Sequence, residues 1–262
     1  YGLPYSISIQ HLVYQGSTFE EPPLSFEAVL NDGERFLIPG KPVAGYEVSD
    51  VLLAQYLHAG GRLVDSGGVA TLDQEPLNEI LSFYAQGVEK GIFNIDLLNY
   101  TSPNDYWTRF LQTDVSIAIT SSDTYLQSSE TGKHVEYAPV PTYDGEPLVI
   151  IDGWLWALTT TNVEQQRGAL AFLEWMTSAE AQADYTLALH ILPSRQRALR
   201  IWQDSVYAAT VEVWLEGGIV IPSDQRNNNA AHQLQAAFEA VLNGAAYEDA
   251  TSEALLELSS SG

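Results

Sequence analysis

The sequence has no cysteine, a single methionine, only three lysines (Lys41, Lys90 and Lys133) and no long apolar run. Each shortage removes a class of function. Without cysteine there is no disulfide framework, no thiolate nucleophile and no cysteine-ligated zinc, although the compartment stays open. A membrane helix needs roughly 18 or more consecutive apolar residues, and no stretch comes near that. Basic residues number 11 against 34 acidic ones, a formal charge of −23. Phosphate backbones and anionic lipid surfaces are repelled by such a chain, so nucleic acid is not an expected partner. The acidic excess is spread along the sequence, the pattern of a solvated surface. An initiator methionine, a basic leader and an apolar leader core are also missing from the opening stretch "YGLPYSISIQHLVYQ", which alternates with the period of a strand from its fifth residue.

Catalytic signatures are equally scarce. The nucleophile elbow G-x-S-x-G, the phosphate loop GxxxxGK[ST] and the zinc motif HExxH do not occur. "DSGGVA" pairs two glycines without a lysine or a helix start behind them and reads as a turn. His11, His58, His134, His190 and His232 are scattered, with no pair at metal-ligand spacing. Neither a metal nor a cofactor is expected. One enzymatic alternative stays open, a carbohydrate-active hydrolase, because it needs only an Asp/Glu pair facing across a sugar.

What is present is an alternation of helices and short buried strands, which predicts an α/β chain with a helix-rich second half. Helices are expected from about Ser25 to "NDG", behind Ser49/Asp50 to the Gly60-Gly61 pair, and from Asp73 to Gly91, where Leu77, Ile80, Leu81, Tyr84 and Val88 share a face. Ser102 followed by Pro103 opens a further helix. "RFLIPG", "VSIAIT", "HVEYAPVP" and "LVIIDGWLWALTT" read as strands, the last two separated by a turn at "YDGE". Beyond Thr160, capping boxes at Thr161/Glu164 and Thr177/Glu180 predict two consecutive helices, closed by Pro193. The remainder is mainly helical, with one extended piece at "GIVIPS".

Aromatic residues are generous in number and several sit beside glycine or at expected strand ends, notably Tyr46, Tyr125 and Trp154. Aromatic faces stack on sugar rings while nearby polar groups bond to the hydroxyls. Trp107, Trp175, Trp202 and Trp214 fall in helical patterns and are expected in the core. In "DGWLWAL" period two puts Trp154 and Trp156 on one face, leaving both a core role and a cleft role open.

Several segments, taken in order, resemble one family. "GLPYSISIQHLVYQ" followed by "FEEPPLSFEAVL" is similar to the pattern G-x-P-Y-S, L-Y-Y-N and P-x-T-W-E-E-L of extracellular solute-binding proteins, in the sugar-binding branch that includes maltose-binding protein. "DVSIAITSSDTYL" resembles the G-x-x-A-M-x-x-x-G-x-W element. "VEYAPVPTYDGEPLVIIDGWLWALTT" resembles P-x-P…G-G-x-x-x-A-I, and "RGALAFLEWMTSAEAQADYTLALHILPSRQRAL" the A-x-x-F-x-x-F-L-x-S-x-E-x-Q…G-x-x-P element. The set spans residues 1 to about 200. It departs from the pattern where "SSDTY" replaces Gly-x-Trp, and where Tyr14-Gln15 replaces Tyr-Asn.

The resemblance implies a two-lobed, periplasmic-binding-protein-like α/β fold of which this chain covers mainly the second lobe. Residues 1–13 would be a hinge crossing, 14–158 and 196–262 the second lobe, and 159–195 a helical segment belonging to the first, whose earlier portion is missing. It also implies non-catalytic binding of a small neutral ligand, an oligosaccharide first, by a monomer that delivers it to the permease of an ABC importer. The location implied is extracellular or periplasmic, with a lipid anchor on an absent N-terminus as one form. In the expected site Trp154 and Tyr125 offer stacking faces, with Tyr46 as a third. Ser8, Ser121 and Asp123 hydrogen-bond hydroxyls, joined by Arg226 or Asn228 from "SDQRNNN"; the asparagine run also reads as a helix N-cap. The rival readings are the hydrolase and an interaction module that no longer binds a ligand.

Overall fold

A computed structural model describes residues 2–112, 115–128, 135–202 and 205–260. Its spine is the opening strand β1 (Leu3–Tyr14), the longest strand among the described residues. The remaining strands are β2 (Phe36–Leu37), β3 (Ile117–Ser121), β4 (Glu136–Ala138), β5 (Ile150–Trp156), β6 (Leu192–Pro193) and β7 (Ile219–Val220). They form one sheet in the order β2-β3-β1-β5-β7, with β4 and β6 also paired to β1. β3 and β5 meet Gln10 from opposite sides, as Ser121 and Ile150. On the β5 side, β4 takes over at Leu12–Tyr14; on the β3 side, β6 pairs with Ser6 and Ile7. His134, the first residue of the strand expected there, and Lys133 lie outside the described residues.

The helices are α1 (Phe26–Asp32), α2 (Asp50–His58), α3 (Gln74–Glu89), α4 (Trp107–Gln112), α5 (Ser122–Ser128), α6 (Val163–Met176), α7 (Ala179–Leu189), α8 (Gln196–Leu199), α9 (Val206–Trp214), α10 (Ser223–Arg226), α11 (Asn229–Leu242) and α12 (Tyr247–Ser260). Local chemistry explains several ends. Ser25 caps α1 by accepting from the amide of Ala28, and Gly33 closes it at φ 71°, a left-handed conformation that costs glycine nothing. Ser102 and Asp105 form a reciprocal capping box around the short 3₁₀ turn Pro103–Asp105, so the helix expected at Pro103 is split and α4 starts only at Trp107.

In place of the two capping boxes expected further on, simple N-caps form one residue later. Asn162, not Thr161, receives the amides of Glu164 and Gln165, and Ser178, not Thr177, receives that of Ala181. Thr177 instead ends α6, its hydroxyl donating to the Leu173 carbonyl. α7 stops at Leu189 with His190 at φ 56°, and Pro193 belongs to β6.

Packing divides between two clusters, and β1 contributes to both. Leu12, Val13 and Tyr14 join the larger, built on α1, α2, α3, α11 and α12 around β3, whereas Ile9 joins a smaller one with α7, α8 and α9. The smaller cluster unites Ala179 and Ala183 with Ala198, Leu199 and Tyr207, across the boundary expected at residue 195. Of the tryptophans expected in the core, Trp202 is buried, but Trp175 is 62% exposed. Leu170, Phe172 and Trp175 on α6 and Leu187 on α7 are also exposed.

Candidate functional site

The site grows out of the β1 register. Ser8 lies opposite Asp152 of β5, and Gln10 lies opposite Ser121 of β3. Directly opposed residues share a face, and period two adds Trp154 to it. Odd-numbered neighbours go the other way: Ile9 and His11 are fully buried. Around Ser8 and Gln10 one face of β1 therefore carries polar groups toward an opening, whereas from Leu12 onward the strand is buried on both faces.

The opening is a cavity of about 390 Å³ lined by Ser8, Gln10, Pro103, Ser121, Asp123, Asp152, Gly153 and Trp154. Small-ligand sites commonly run from about 300 to 1,000 Å³. β3 ends at Ser121 and α5 starts at once, which places Asp123 in the first helical turn. Ser121 Oγ accepts from the amide of Thr124, and Thr124 Oγ1 donates to Asn104 Oδ1, bringing the Pro103 turn to the cavity wall. Ser122 ties the corner down by accepting from the Ile9 amide at 3.1 Å.

Gly153 is required by a close approach: a Cβ there would stand 2.7 Å from the Ser6 carbonyl oxygen. The glycine lets β5 lie tight against β1 and so sets Asp152 and Trp154 on either side of it. Trp154 is 66% exposed, an indole presented to solvent at the cavity mouth. Burial pushes the Asp123 carboxyl above its ordinary range, with the hydroxyls of Ser122 and Ser8 opposing.

Beside this wall stands a second polar group. Arg226 donates Nε to Asp50 Oδ1 at 2.7 Å and Nη2 to Asp50 Oδ2 at 3.2 Å, and its guanidinium carbon lies 5.1 Å from the centre of the Tyr46 ring. Burial opposes its charge, but the hydrogen bonds and field of Asp50, reinforced by Asp152 and Tyr46, hold Arg226 above the ordinary arginine value. The loop bearing Tyr46 is fastened by Gln235, whose amide accepts from Ser49 N and donates to the Gly40 carbonyl, and by the Glu47 amide on the Arg226 carbonyl.

Of the residues expected from the sequence, Ser8, Ser121, Asp123 and Trp154 come together in the cavity wall. Tyr46 and Arg226 form the neighbouring cluster. Tyr125 is placed elsewhere, in an aromatic group with His11, Tyr137 and Tyr207, because α5 turns its side chain back under the sheet. Asn228 caps α11 by accepting from the Ala231 amide at 2.8 Å. The expectation missed Gln10, Pro103, Asp152 and Gly153. Stepping by two from Ser8 and from Trp154 would have found Gln10 and Asp152; Pro103 arrives by a long-range contact that carries no local signal.

A larger depression of about 620 Å³ lies between the end of α2 and the start of α3, lined by Arg62, Asp73, Glu75, Glu79 and Tyr143 among others. Its Arg62 and Asp73 are paired at 2.6 Å, and no expected site residue reaches it. Among the described residues no group of three or more His, Cys, Asp or Glu side chains is placed to hold a metal ion, and no helix is long and apolar enough to cross a membrane.

Residues 1–213 match the family described as bacterial extracellular solute-binding protein. The chain belongs to that family. Among curated protein sequences none matches it. Solved structures share its fold at low identity. The maltose-bound MalE3 of T. maritima superposes with a TM-score of 0.78 at 16% identity, covering 98% of this chain and 72% of that one. A cyclic alpha-maltosyl-1,6-maltose binding protein from Arthrobacter globiformis gives 0.73 at 15%, covering 98% and 71%. An ABC transporter solute-binding protein from Thermotoga lettingae bound with alpha-D-tagatose gives 0.73 at 19%, covering 99% and 72%. The two-lobed α/β expectation is met at the level of fold, and membership places the protein among extracellular solute-binding proteins.

Proposed function

We propose that this solute-binding protein takes a small carbohydrate into the cavity on the β1–β5 wall and makes or breaks no bond in it. The observation that carries the reading is Trp154, an exposed indole on the same strand face as Ser8 and Asp152. A sugar ring offers that combination an apolar face to stack and hydroxyls to bond. Ser8, Gln10 and Ser121 supply neutral polar groups, and Asp123 and Asp152 accept hydrogen bonds strengthened by charge. That relatives of the same fold hold maltose and tagatose supports the class of ligand.

The ligand is then passed to the permease of an ABC importer by a monomeric protein outside the cytoplasmic membrane. Residues 1–13 act as a hinge crossing, consistent with β1 feeding both packed clusters. Residues 14–158 and 196–262 supply one lobe and residues 159–195 belong to the other, with Ala179 and Ala183 packing on Ala198, Leu199 and Tyr207 across that boundary. Closure of the two lobes buries the ligand, and differential contacts in the closed state provide the driving force. The family match and the solved structures of the same fold lend no support to the hydrolase alternative.

Calorimetric titration of the complete protein with maltose, maltotriose and tagatose tests the proposal. Saturable binding with no product by chromatography is expected; absence of heat with all three sugars in a well-folded sample would overturn it.

A further inference from the structure

The ionisable groups in the cavity wall are all of one sign. Asp123 and Asp152 line it, and among the described residues no lysine or arginine does. The neighbouring guanidinium, Arg226, is already held by both oxygens of Asp50. Asp152 also acts electrostatically on both Asp50 and Arg226, so two carboxylates already share that one cation. Taking a carboxylate out of water is costly unless a counter-charge or strong donors replace the solvent. Among the described residues Asp123 receives hydroxyl donors, Ser122 Oγ at 3.2 Å among them, and the Asp152 side chain accepts from the amide of its own neighbour, Gly153. Burial lifts the Asp123 carboxyl and the Ser122 and Ser8 hydroxyls only partly offset it.

Two independent features point the same way. The Trp154 face is open, and an indole attracts a cation placed within about 6 Å of its centre. Gln10 lines the cavity and its Oε1 is a buried acceptor with no hydrogen-bond partner. Acceptors, negative charge and a π face together ask for a ligand rich in donors and positive in charge. Resting on the carbohydrate reading above, we propose that the ligand is an amino sugar, its protonated nitrogen seated between Asp123 and Asp152 against Trp154. The same arrangement repels uronic acids and sugar phosphates.

The test is calorimetric titration of the complete protein, at mildly acidic pH and low salt, with three disaccharides: the free-amine disaccharide of glucosamine, its N-acetylated counterpart and maltose. The amine is expected to bind roughly tenfold or more tighter than the N-acetyl form, since a hydrogen bond to a charged group outweighs a neutral one. The preference should shrink as salt rises, and in both Asp152→Asn and Asp123→Asn. Asp152 is exposed, so its variant remains informative if Asp123→Asn folds poorly. Equal affinity for amine and N-acetyl forms, or a preference that survives both substitutions, overturns the amino-sugar assignment and leaves the carbohydrate reading standing. Failure of every disaccharide to bind folded protein overturns both.

Discussion

Arg226 grips Asp50 with two hydrogen bonds while its guanidinium lies over Tyr46, and the arginine side chain is only 6% exposed. A short helix of four residues, α10, delivers this arginine to the first residue of α2, far away in sequence. Breaking one half of a buried pair strands the other charge. Arg226→Met is expected to lower unfolding free energy by about 3 kcal/mol, read by urea denaturation. Combining it with Asp50→Leu should recover much of the loss, because an apolar pair of similar volume carries no desolvation cost. A double variant no better than Arg226→Met would mean that the pair matters through its shape and hydrogen bonds instead.

Trp154 separates binding from folding. Its side chain is largely exposed, so Trp154→Ala should change stability by no more than about 0.5 kcal/mol. Affinity for the bound saccharide should fall roughly tenfold, the worth of a good aromatic contact. Titration calorimetry and thermal unfolding on the same sample read the two quantities. An unchanged affinity would remove the indole from the site.

Gly153→Ala should couple the two properties that Trp154 keeps apart. The added methyl meets the Ser6 carbonyl oxygen at 2.7 Å, backbone that cannot rotate away. Prising β5 from β1 is expected to cost about 1–3 kcal/mol, as overpacking does. It also moves Asp152 and Trp154, so affinity should weaken together with a lowered melting temperature. A stable variant with normal affinity would show that the strands can part here without consequence.

His11 supplies a pH dependence. Its Nδ1 donates to the Leu12 carbonyl at 2.9 Å, leaving Nε2 to accept from the Tyr207 hydroxyl at 2.9 Å. Full burial brings its pKa down from 6.5 to about 4, against the raising effect of the Leu12 bond. Between those values the unfolded chain binds the proton and the folded one does not, so stability rises with pH. The contribution is complete above about 6.5 and is lost as pH falls toward about 4, amounting to about 3 kcal/mol. Urea midpoints across that window should slope for the native protein, and the slope should be reduced in His11→Gln. Parallel curves for the two proteins would rule out His11 as the titrating group.

Much of this was legible along the chain because it depends on near neighbours. The alternation from Tyr5 announced β1, Ser25 and Gly33 bracketed α1, and the Leu77 to Tyr84 spacing announced α3. Where two neighbouring residues compete for one role, the local pattern failed by a single step, as when Asn162 and Ser178 took the caps expected of Thr161 and Thr177. Of the site residues that the family resemblance suggested, Ser8, Ser121, Asp123 and Trp154 line one cavity.

The sequence by itself determined the helices and strands, the acidic surface, the absence of thiol chemistry and, through ordered motifs, the family. Those properties follow from composition and from interactions between residues a few positions apart. Only the tertiary structure decided which polar groups converge. Asp152 meets Ser8 because of a strand register set across more than a hundred residues, Pro103 reaches the wall through Asn104 and Thr124, and Arg226 is neutralised by a partner on another helix. It also turned Tyr125 into the aromatic core and gave Asn228 to a helix end. Local chemistry chooses a residue's conformation, but which atoms it meets depends on how distant segments pack, and a binding site consists of such meetings.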